Sequence, residues 1–304
     1  MTNPLFGRSL SLIIGVPPPG TPDLATLNRV LLNGAYGTKA VGYDFSGQDI
    51  AFEISKTLKA EPNKATFKIY NLAPTSISML ANSGPLVVKF DVGYQGQTST
   101  VYQGTVRSAW TNQIDDKSFE TTIETGDSEL NFQTARISYN QGPKSPTIPI
   151  ELALEALVTQ LGVGDGNLQS AVPAFKSSGL KQVNSSGLHG NVAQRLTDLC
   201  RSIGFSWSVQ NGAIQILPIA GALNSALAVV LDSDHGMIGS PTVDSKGYLS
   251  GQCLIQPGVL PGSIVQVNAK FAKGAYKVQT TKHHGSTFSK DEWYIDFTGT
   301  KYAA

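Results

Sequence analysis

Phe205-Ser206-Trp207-Ser208-Val209-Gln210-Asn211-Gly212-Ala213-Ile214-Gln215-Ile216-Leu217 alternates apolar and polar side chains on either side of an Asn-Gly pair. Alternation of period two buries one face of a strand. Asn-Gly supplies two residues that accept positive φ at the tip of a two-residue turn. The stretch therefore reads as a β-hairpin. Just before it, Asn191 is a good N-cap, Val192, Leu196, Leu199, Cys200 and Ile203 fall on one helical face, and Gly204 ends the run. Further back, Ile150, Ala153, Leu154, Leu157, Val158 and Leu161 make a second helical stripe. Pro149 stands near its start, Glu151 in its first turn and Gly162 at its stop. A Gly- and Ser-rich connection joins the two. Residues 143–220 thus form a small α+β domain, two helices plus a hairpin, with its own core.

Outward from that unit the period changes from 3.6 to 2. In residues 1–142, Leu86, Val88, Phe90, Val92 and Tyr94 point one way and Lys89 and Asp91 the other. After the turn-rich Gln95-Gly96-Gln97, Tyr102, Val106 and Trp110 share a side opposite Gln103, Thr105 and Arg107. Phe119, Thr121 and Ile123 then oppose Glu120, Thr122 and Glu124, which completes an antiparallel meander. Ala65, Phe67 and Ile69 form an earlier strand, and Pro74, suited to a first helical position, opens a short helix through Met79 and Leu80. Residues 221–304 return to strands at Leu227 to Leu231, Gly251 to Ile255, Ile264 to Phe271, Tyr276 to Lys282 and Trp293 to Phe297, with Pro257-Gly258 and Pro261-Gly262 as turns. The fold class is β-rich α+β, in the order β, α+β, β.

The two β regions echo each other. Tyr102 and Phe119 are 17 residues apart, as are Tyr276 and Trp293; each pair follows an alternating strand and is followed by a glycine, Gly126 or Gly299. The spacing is either a coincidence among aromatics, which are common in strands, or the mark of two similar modules in one chain.

With 304 residues, 40% of them hydrophobic, the chain is long enough for two or three domains that bury cores. Only 15% are charged, the formal net charge is +1, and 31 glycines serve many turns. Such a chain lacks the clustered cations that neutralise a run of phosphates, so stable nucleic-acid binding is disfavoured. A membrane span is also disfavoured, because the apolar run Leu10 to Val16 is broken by Ser11 and Gly15 and ended by Pro17-Pro18-Pro19-Gly20. That run lacks the flanks of a signal peptide. Cys200 and Cys253 have no metal-type spacing; Cys200 falls on a helical apolar face and reads as a buried structural thiol, in a protein made in a reducing cytoplasm.

Candidate chemistry does not assemble. His283 and His284 are adjacent and point to opposite faces of a strand, while His189 and His235 sit in glycine-flanked loops. Asp232, Asp234 and His235 read as a polar turn, and Asp115-Asp116 as a loop tip. Gly162-Val163-Gly164-Asp165-Gly166 follows a helix, whereas a dinucleotide fingerprint follows a strand. Trp110, Trp207 and Trp293 fall in phase with apolar neighbours and read as core. No catalytic, cofactor-binding or metal-ligating residue is assigned, no cofactor is expected, and the chain is read as a non-enzyme.

One stretch, Asn63-Lys64-Ala65-Thr66-Phe67-Lys68-Ile69-Tyr70-Asn71-Leu72-Ala73-Pro74, is followed by Val92-Gly93-Tyr94 and Tyr102-Gln103-Gly104-Thr105-Val106. Together they resemble the N-terminal module of the baseplate hub proteins of contractile-tailed bacteriophages. Met237-Ile238-Gly239-Ser240-Pro241-Thr242, Pro257-Gly258-Val259-Leu260-Pro261-Gly262, Gly274-Ala275-Tyr276-Lys277-Val278, His283 to Gly285 and Trp293-Tyr294 are similar to the second module of that family. The resemblance implies two antiparallel tube-like β-barrel or sandwich domains per subunit, at 1–142 and 221–304. It implies a homotrimer that matches the hexameric tail tube or its initiator protein to a trimeric central spike, with tape-measure and baseplate wedge proteins as further neighbours. It also implies a channel through which DNA passes transiently, and a place in the virion tail after assembly in the bacterial host cytoplasm. This chain is short for the family, with a reduced middle. Two other readings are a hub or spike component of a phage-derived contractile injection particle, and a cell-wall-degrading or sugar-binding tail module.

Overall fold

A computed structural model describes residues 7–16, 41–82, 86–127, 129–140, 147–183, 187–223, 228–288 and 293–302. The Pro17 to Gly20 stretch lies outside them. The first region contributes β1 (Arg8–Val16), β2 (Val41–Asp44), β3 (Ile50–Thr57), β4 (Lys64–Tyr70), α1 (Pro74–Asn82), β5 (Val87–Tyr94), β6 (Gln97–Gln113) and β7 (Phe119–Gly126). Next come α2 (Glu129–Thr134), β8 (Arg136–Asn140), β9 (Ile148–Pro149), α3 (Ile150–Leu161), α4 (Leu168–Ser177), β10 (Gln182–Val183), β11 (Gly187–Asn191), α5 (Val192–Ser202), β12 (Phe205–Gln210) and β13 (Ala213–Pro218). The last region holds β14 (Val229–Leu231), β15 (Met237–Val243), β16 (Tyr248–Leu254), β17 (Ile264–Asn268), β18 (Lys273–Ser286) and β19 (Trp293–Lys301).

The middle hairpin forms in the register its Asn-Gly tip dictates, Gln210 opposite Ala213 and Phe205 opposite Pro218, with Asn211 at φ 54° and Gly212 at φ 75°. In α3 all six residues of the stripe are buried, and Gly162 ends it in the left-handed region at φ 70°. Asn191 caps α5 by accepting from the Gln194 amide at 2.9 Å. Val192, Leu196 and Cys200 of that helix are buried, and Leu199 and Ile203 pack partly buried against the same core.

Two readings of this region change. The Gly- and Ser-rich connection contains a third helix, α4, whose Leu168, Ala171 and Phe175 are buried despite Pro173 inside it. Its short stripe is interrupted by polar residues and a proline, so period alone did not reveal it. Phe132, Ala135, Ile137 and Tyr139 pack into the middle core, although they precede residue 143. The cause is β8, which pairs with β11 and draws the preceding chain onto α5.

The flanking regions are the two β modules expected, and they are joined edge to edge. Among the described residues their strands make one thirteen-stranded sheet, in the order β15-β16-β19-β18-β3-β4-β7-β6-β5-β1-β2, with β17 beside β18 and β14 beside β17. Their buried apolar side chains form one continuous core, in which Phe52 meets both Phe90 and Trp293. The join is β3 against β18, antiparallel from Ala51↔Ser286 to Thr57↔Thr280. The β14–β17 pair is parallel, the exception to an otherwise antiparallel sheet. Leu227, where the first strand of this region was expected to begin, lies outside the described residues. Strand β17 ends at Asn268 and leaves Phe271 exposed.

The internal echo is a repeat of topology. β3-β4-β7-β6-β5 and β15-β16-β19-β18-β17 have the same order, the same antiparallel hairpins and the same crossover after the second strand. Each long strand also carries a bulge, between Val106 and Ser108 in β6 and between Val278 and Thr280 in β18. Superposed on these bulges, Phe119 is equivalent to Trp293, but Tyr276 is equivalent to Gly104 and not to Tyr102. The shared 17-residue spacing is therefore accidental for the tyrosines.

The β6 bulge also overturns one core assignment. An extra residue at Arg107 shifts the alternation by one, so Val106 and Trp110 leave on opposite faces. Trp110 is 42% exposed, whereas Trp207 and Trp293 are buried as read.

Candidate assembly surface

Paired positions across an antiparallel sheet place their side chains on the same face. From β15 to β6 the register therefore defines two faces. One is the core. The other carries Ser55 and Glu53 of β3, Lys64, Thr66 and Lys68 of β4, Glu120 and Glu124 of β7, Lys282 and His284 of β18, Asp296 and Thr298 of β19 and Gln252 of β16. This face runs without a break across both modules, because β3 and β18 share a ladder. It is hollowed around Ser55, Thr57, Ser250, Thr280 and Thr298, where a depression of ≈ 670 Å³ crosses the junction.

Charges on this face are matched locally. Lys68 meets Glu120 at 3.1 Å, Lys282 on β18 meets Glu53 on β3 at 3.1 Å, and His284 meets Asp296 at 3.1 Å. Ser108 donates to Glu124 at 3.0 Å, Gln252 to Asp296 at 2.7 Å, and Thr280 and Thr298 share a bond of 2.7 Å. Burial pushes the Glu120 carboxyl up, but bonds from Lys68, Tyr70 and Thr122 outweigh it and hold it below the usual range. The result is a polar wall whose acceptors and donors largely satisfy one another.

The middle unit is locked to the sheet through its hairpin tip. The Lys56 ammonium donates to Asn211 Oδ1, Asn211 Nδ2 donates to the Thr100 carbonyl at 3.3 Å, and the Gly212 amide donates to the Asp127 carboxylate at 3.1 Å. Asn63 Nδ2 donates to the Val209 carbonyl at 2.6 Å and Gln210 Nε2 to that of Thr57 at 2.7 Å. On the second module, Gln215 Nε2 donates to the Pro261 carbonyl at 3.0 Å and Lys277 Nζ to that of Ile219 at 3.0 Å. Lys56, Asn63 and Asp127 are buried. Burial pushes Lys56 down to about 8, opposed by the nearby Asp127. Sequence reading passed over this cluster. Its signal was Lys56 itself, which continues the apolar phase of Ile50, Phe52 and Ile54.

The histidines separate as their positions demand. His283 is buried and driven well below its ordinary value by desolvation, with Lys56 and His284 adding to the effect. His284 leaves on the outer face toward Asp296. Asp232 Oδ1 accepts from the amides of Asp234 at 3.0 Å and His235 at 2.9 Å and lies 2.6 Å from His235 Nδ1, the polar turn expected there. Asp115 closes its loop tip by accepting from the amides of Lys117 and Ser118, each at 2.8 Å. His189 lies on β11, not in a loop, 3.4 Å from Ser138. Gly162 to Gly166 packs against the hairpin: the Gly164 amide donates to the Gly212 carbonyl at 2.8 Å, and a Cβ at Gly166 would meet the Ile214 carbonyl oxygen at 1.8 Å. Cys200 and Cys253 are free and buried, and burial pushes both thiols up to about 12. Among the described residues, no three His, Cys, Asp or Glu side chains group to hold a metal ion, and no helix is long and apolar enough to cross a membrane.

No protein-family model matches the chain, and no curated protein matches it in sequence. Solved structures do. A tail protein from Neisseria meningitidis MC58 superposes with a TM-score of 0.56 at 13% identity, covering 97% of each chain. The Escherichia coli c3393 protein, a type VI secretion component with structural similarity to the T4 bacteriophage tail proteins gp27 and gp5, gives 0.53 at 10% identity over 84% of this chain and 74% of that one. The 43 kDa tail protein of prophage MuSo2 from Shewanella oneidensis gives 0.52 at 9% identity over 85% and 95%. At such identities the likeness is one of fold: the chain has the β-rich fold of these proteins.

Proposed function

We propose that this chain, carrying that tail-protein fold, is a structural subunit of a phage tail baseplate hub, a homotrimer that joins the hexameric tail tube to a trimeric central spike. The observation that carries the reading is the repeat: one chain holds two modules of identical strand order, linked edge to edge by β3 and β18. Three such chains present six similar modules upward while remaining threefold overall, which is what a symmetry adapter requires.

The outer face of the shared sheet is the wall of a central channel. It is concave, hydroxyl-rich and charge-matched. Phosphates passing such a wall find few unpaired cations, so DNA is not retained. The subunit works by positioning its neighbours, tube above and spike below, and carries out no chemistry of its own. It resides in the virion tail and is assembled in the host cytoplasm.

A second reading gives the same part to a contractile injection particle related to phage tails, and the fold shared with the E. coli type VI secretion component favours it. Both readings demand the same assembly. Mass measurement in solution with particle imaging is expected to show a trimeric ring with an open centre. A chain that stays monomeric at every concentration, or clearance of peptidoglycan by the purified protein, would overturn the proposal.

A further inference from the structure

The hairpin tip brings an amine, a carboxamide and a carboxylate together in a dry site. Lys56 lies on the buried face of β3, Asn211 stands between β12 and β13, and Asp127 directly follows β7. Lys56, Asp127 and the neighbouring His283 are each 1% exposed. Lys56 Nζ is 2.5 Å from Asn211 Oδ1. With a C=O bond of about 1.23 Å, the carboxamide carbon is then within about 3.7 Å of the amine, against about 3–3.5 Å for a pair poised to react. The other end of the carboxamide is held as well, because Nδ2 donates to the Thr100 carbonyl at 3.3 Å. On the backbone side, the Gly212 amide donates to the Asp127 carboxylate at 3.1 Å.

Burial also changes what Lys56 can do. An ammonium has no lone pair to attack with, but desolvation lowers Lys56 to about 8, so part of the folded protein carries a free amine near neutral pH. Asp127 opposes that shift, and as the carboxylate beside the amine it is the base placed to take a proton. Thr281 is paired with Lys56 across the β3–β18 ladder, and His283 is on the same face. Neither Thr281 Oγ1 nor His283 Nδ1 makes a hydrogen bond among the described residues, so neither draws the amine away from Asn211.

We propose that Lys56 and Asn211 react with each other to form an isopeptide bond, with Asp127 carrying the proton, so that the first module and the middle unit become covalently joined. A turn about the Asn211 Cβ–Cγ bond presents the carbonyl face to Nζ. The Nζ lone pair attacks Cγ, Asp127 takes a proton from Nζ and gives it to Nδ2, the Cγ–Nδ2 bond breaks, and ammonia leaves. One amine and one primary amide become one secondary amide and one ammonia, the carboxylate is regenerated, and nothing is oxidised or reduced. The chain is the sole reactant and nothing turns over, so the inference is independent of the hub reading and of its failure. The bond spans 155 residues of chain and holds the hairpin tip to β3 under loads that part hydrogen bonds. The open form keeps its full mass, and the energetics of the hydrogen-bonded lock are measured on that form.

Mass spectrometry tests the bond. Intact wild-type protein, followed with time at pH 8.5, is expected to lose the mass of one ammonia. Trypsin should then fail to cut after Lys56 and release a branched peptide that joins residues 40–59 to residues 202–246. Asp127→Asn is expected to slow the loss on the order of a hundredfold, and Lys56→Gln and Asn211→Gly to keep their full mass, with circular dichroism on the same samples to show that they are folded. Wild-type protein that keeps its full mass throughout overturns the proposal. So does an ammonia loss that leaves Lys56 cleavable or persists in Lys56→Gln, since the attacking nitrogen is then the Gly212 amide and the product a cyclic imide. The wild-type peptide decides the question even where a variant fails to fold.

Discussion

Replacing Asn211 tests whether the hairpin tip holds the middle unit to the sheet. Asn211→Gly keeps the left-handed backbone, φ 54°, and removes only the amide. Lys56, 1% exposed, then loses its acceptor, and the Thr100 carbonyl loses a donor. A bond to a charged group contributes about 1.5–3 kcal/mol and a neutral one about 1 kcal/mol. Because Asp127 still faces the ammonium, the lower half of that range applies, and the loss is about 2–3 kcal/mol. Asn211→Ala adds a side chain that resists positive φ, for a further loss of about 1–2 kcal/mol. Urea denaturation at pH 7, followed by tryptophan fluorescence with amide exchange of β12 and β13, is expected to rank wild type above Asn211→Gly above Asn211→Ala. At pH 9.5, where Lys56 has discharged, the Gly variant should lie closer to wild type. A Gly variant within about 0.5 kcal/mol of wild type at pH 7 would refute the lock, since that is the scale of an ordinary surface change.

Lys56 is charged in the unfolded chain up to about 10.5 but in the folded protein only to about 8. The unfolded state therefore binds more protons between those values, and stability rises with pH across that window, by on the order of 3 kcal/mol at most; Lys56→Gln should flatten the rise, and an unchanged slope would count against the assignment. Lys282 and Glu53 bridge the two modules but are each about half exposed, so Lys282→Ala should cost less than about 1 kcal/mol in thermal or urea denaturation. A loss above about 2 kcal/mol would show the bridge to be part of the junction's stability.

Much of the fold was legible because its signals are local. The α3 stripe, the Asn191 cap, the Gly162 stop and the Asn211-Gly212 turn each depend on a few neighbouring residues whose backbone preferences agree with the final structure. The strands with clean alternation, β4, β5, β7 and β19, read correctly for the same reason. Signals that cancel locally were lost. Proline inside α4 hides a three-residue stripe, and the bulge at Arg107 reverses the phase on which Trp110 was assigned to the core.

What the sequence determined alone is therefore the inventory: a β, α+β, β order, two β regions alike in pattern, histidines too far apart in orientation to act together, and a chain near neutrality. What only the tertiary structure decided is how the inventory is joined. That β3 crosses into the second module to pair with β18 and that Lys56 and Asp127 meet the hairpin tip both involve residues far apart along the chain. Alternation says which face of a strand is buried, but a strand's hydrogen-bonding edges lie at right angles to its side chains. Nothing in the side-chain pattern names the neighbour those edges will find.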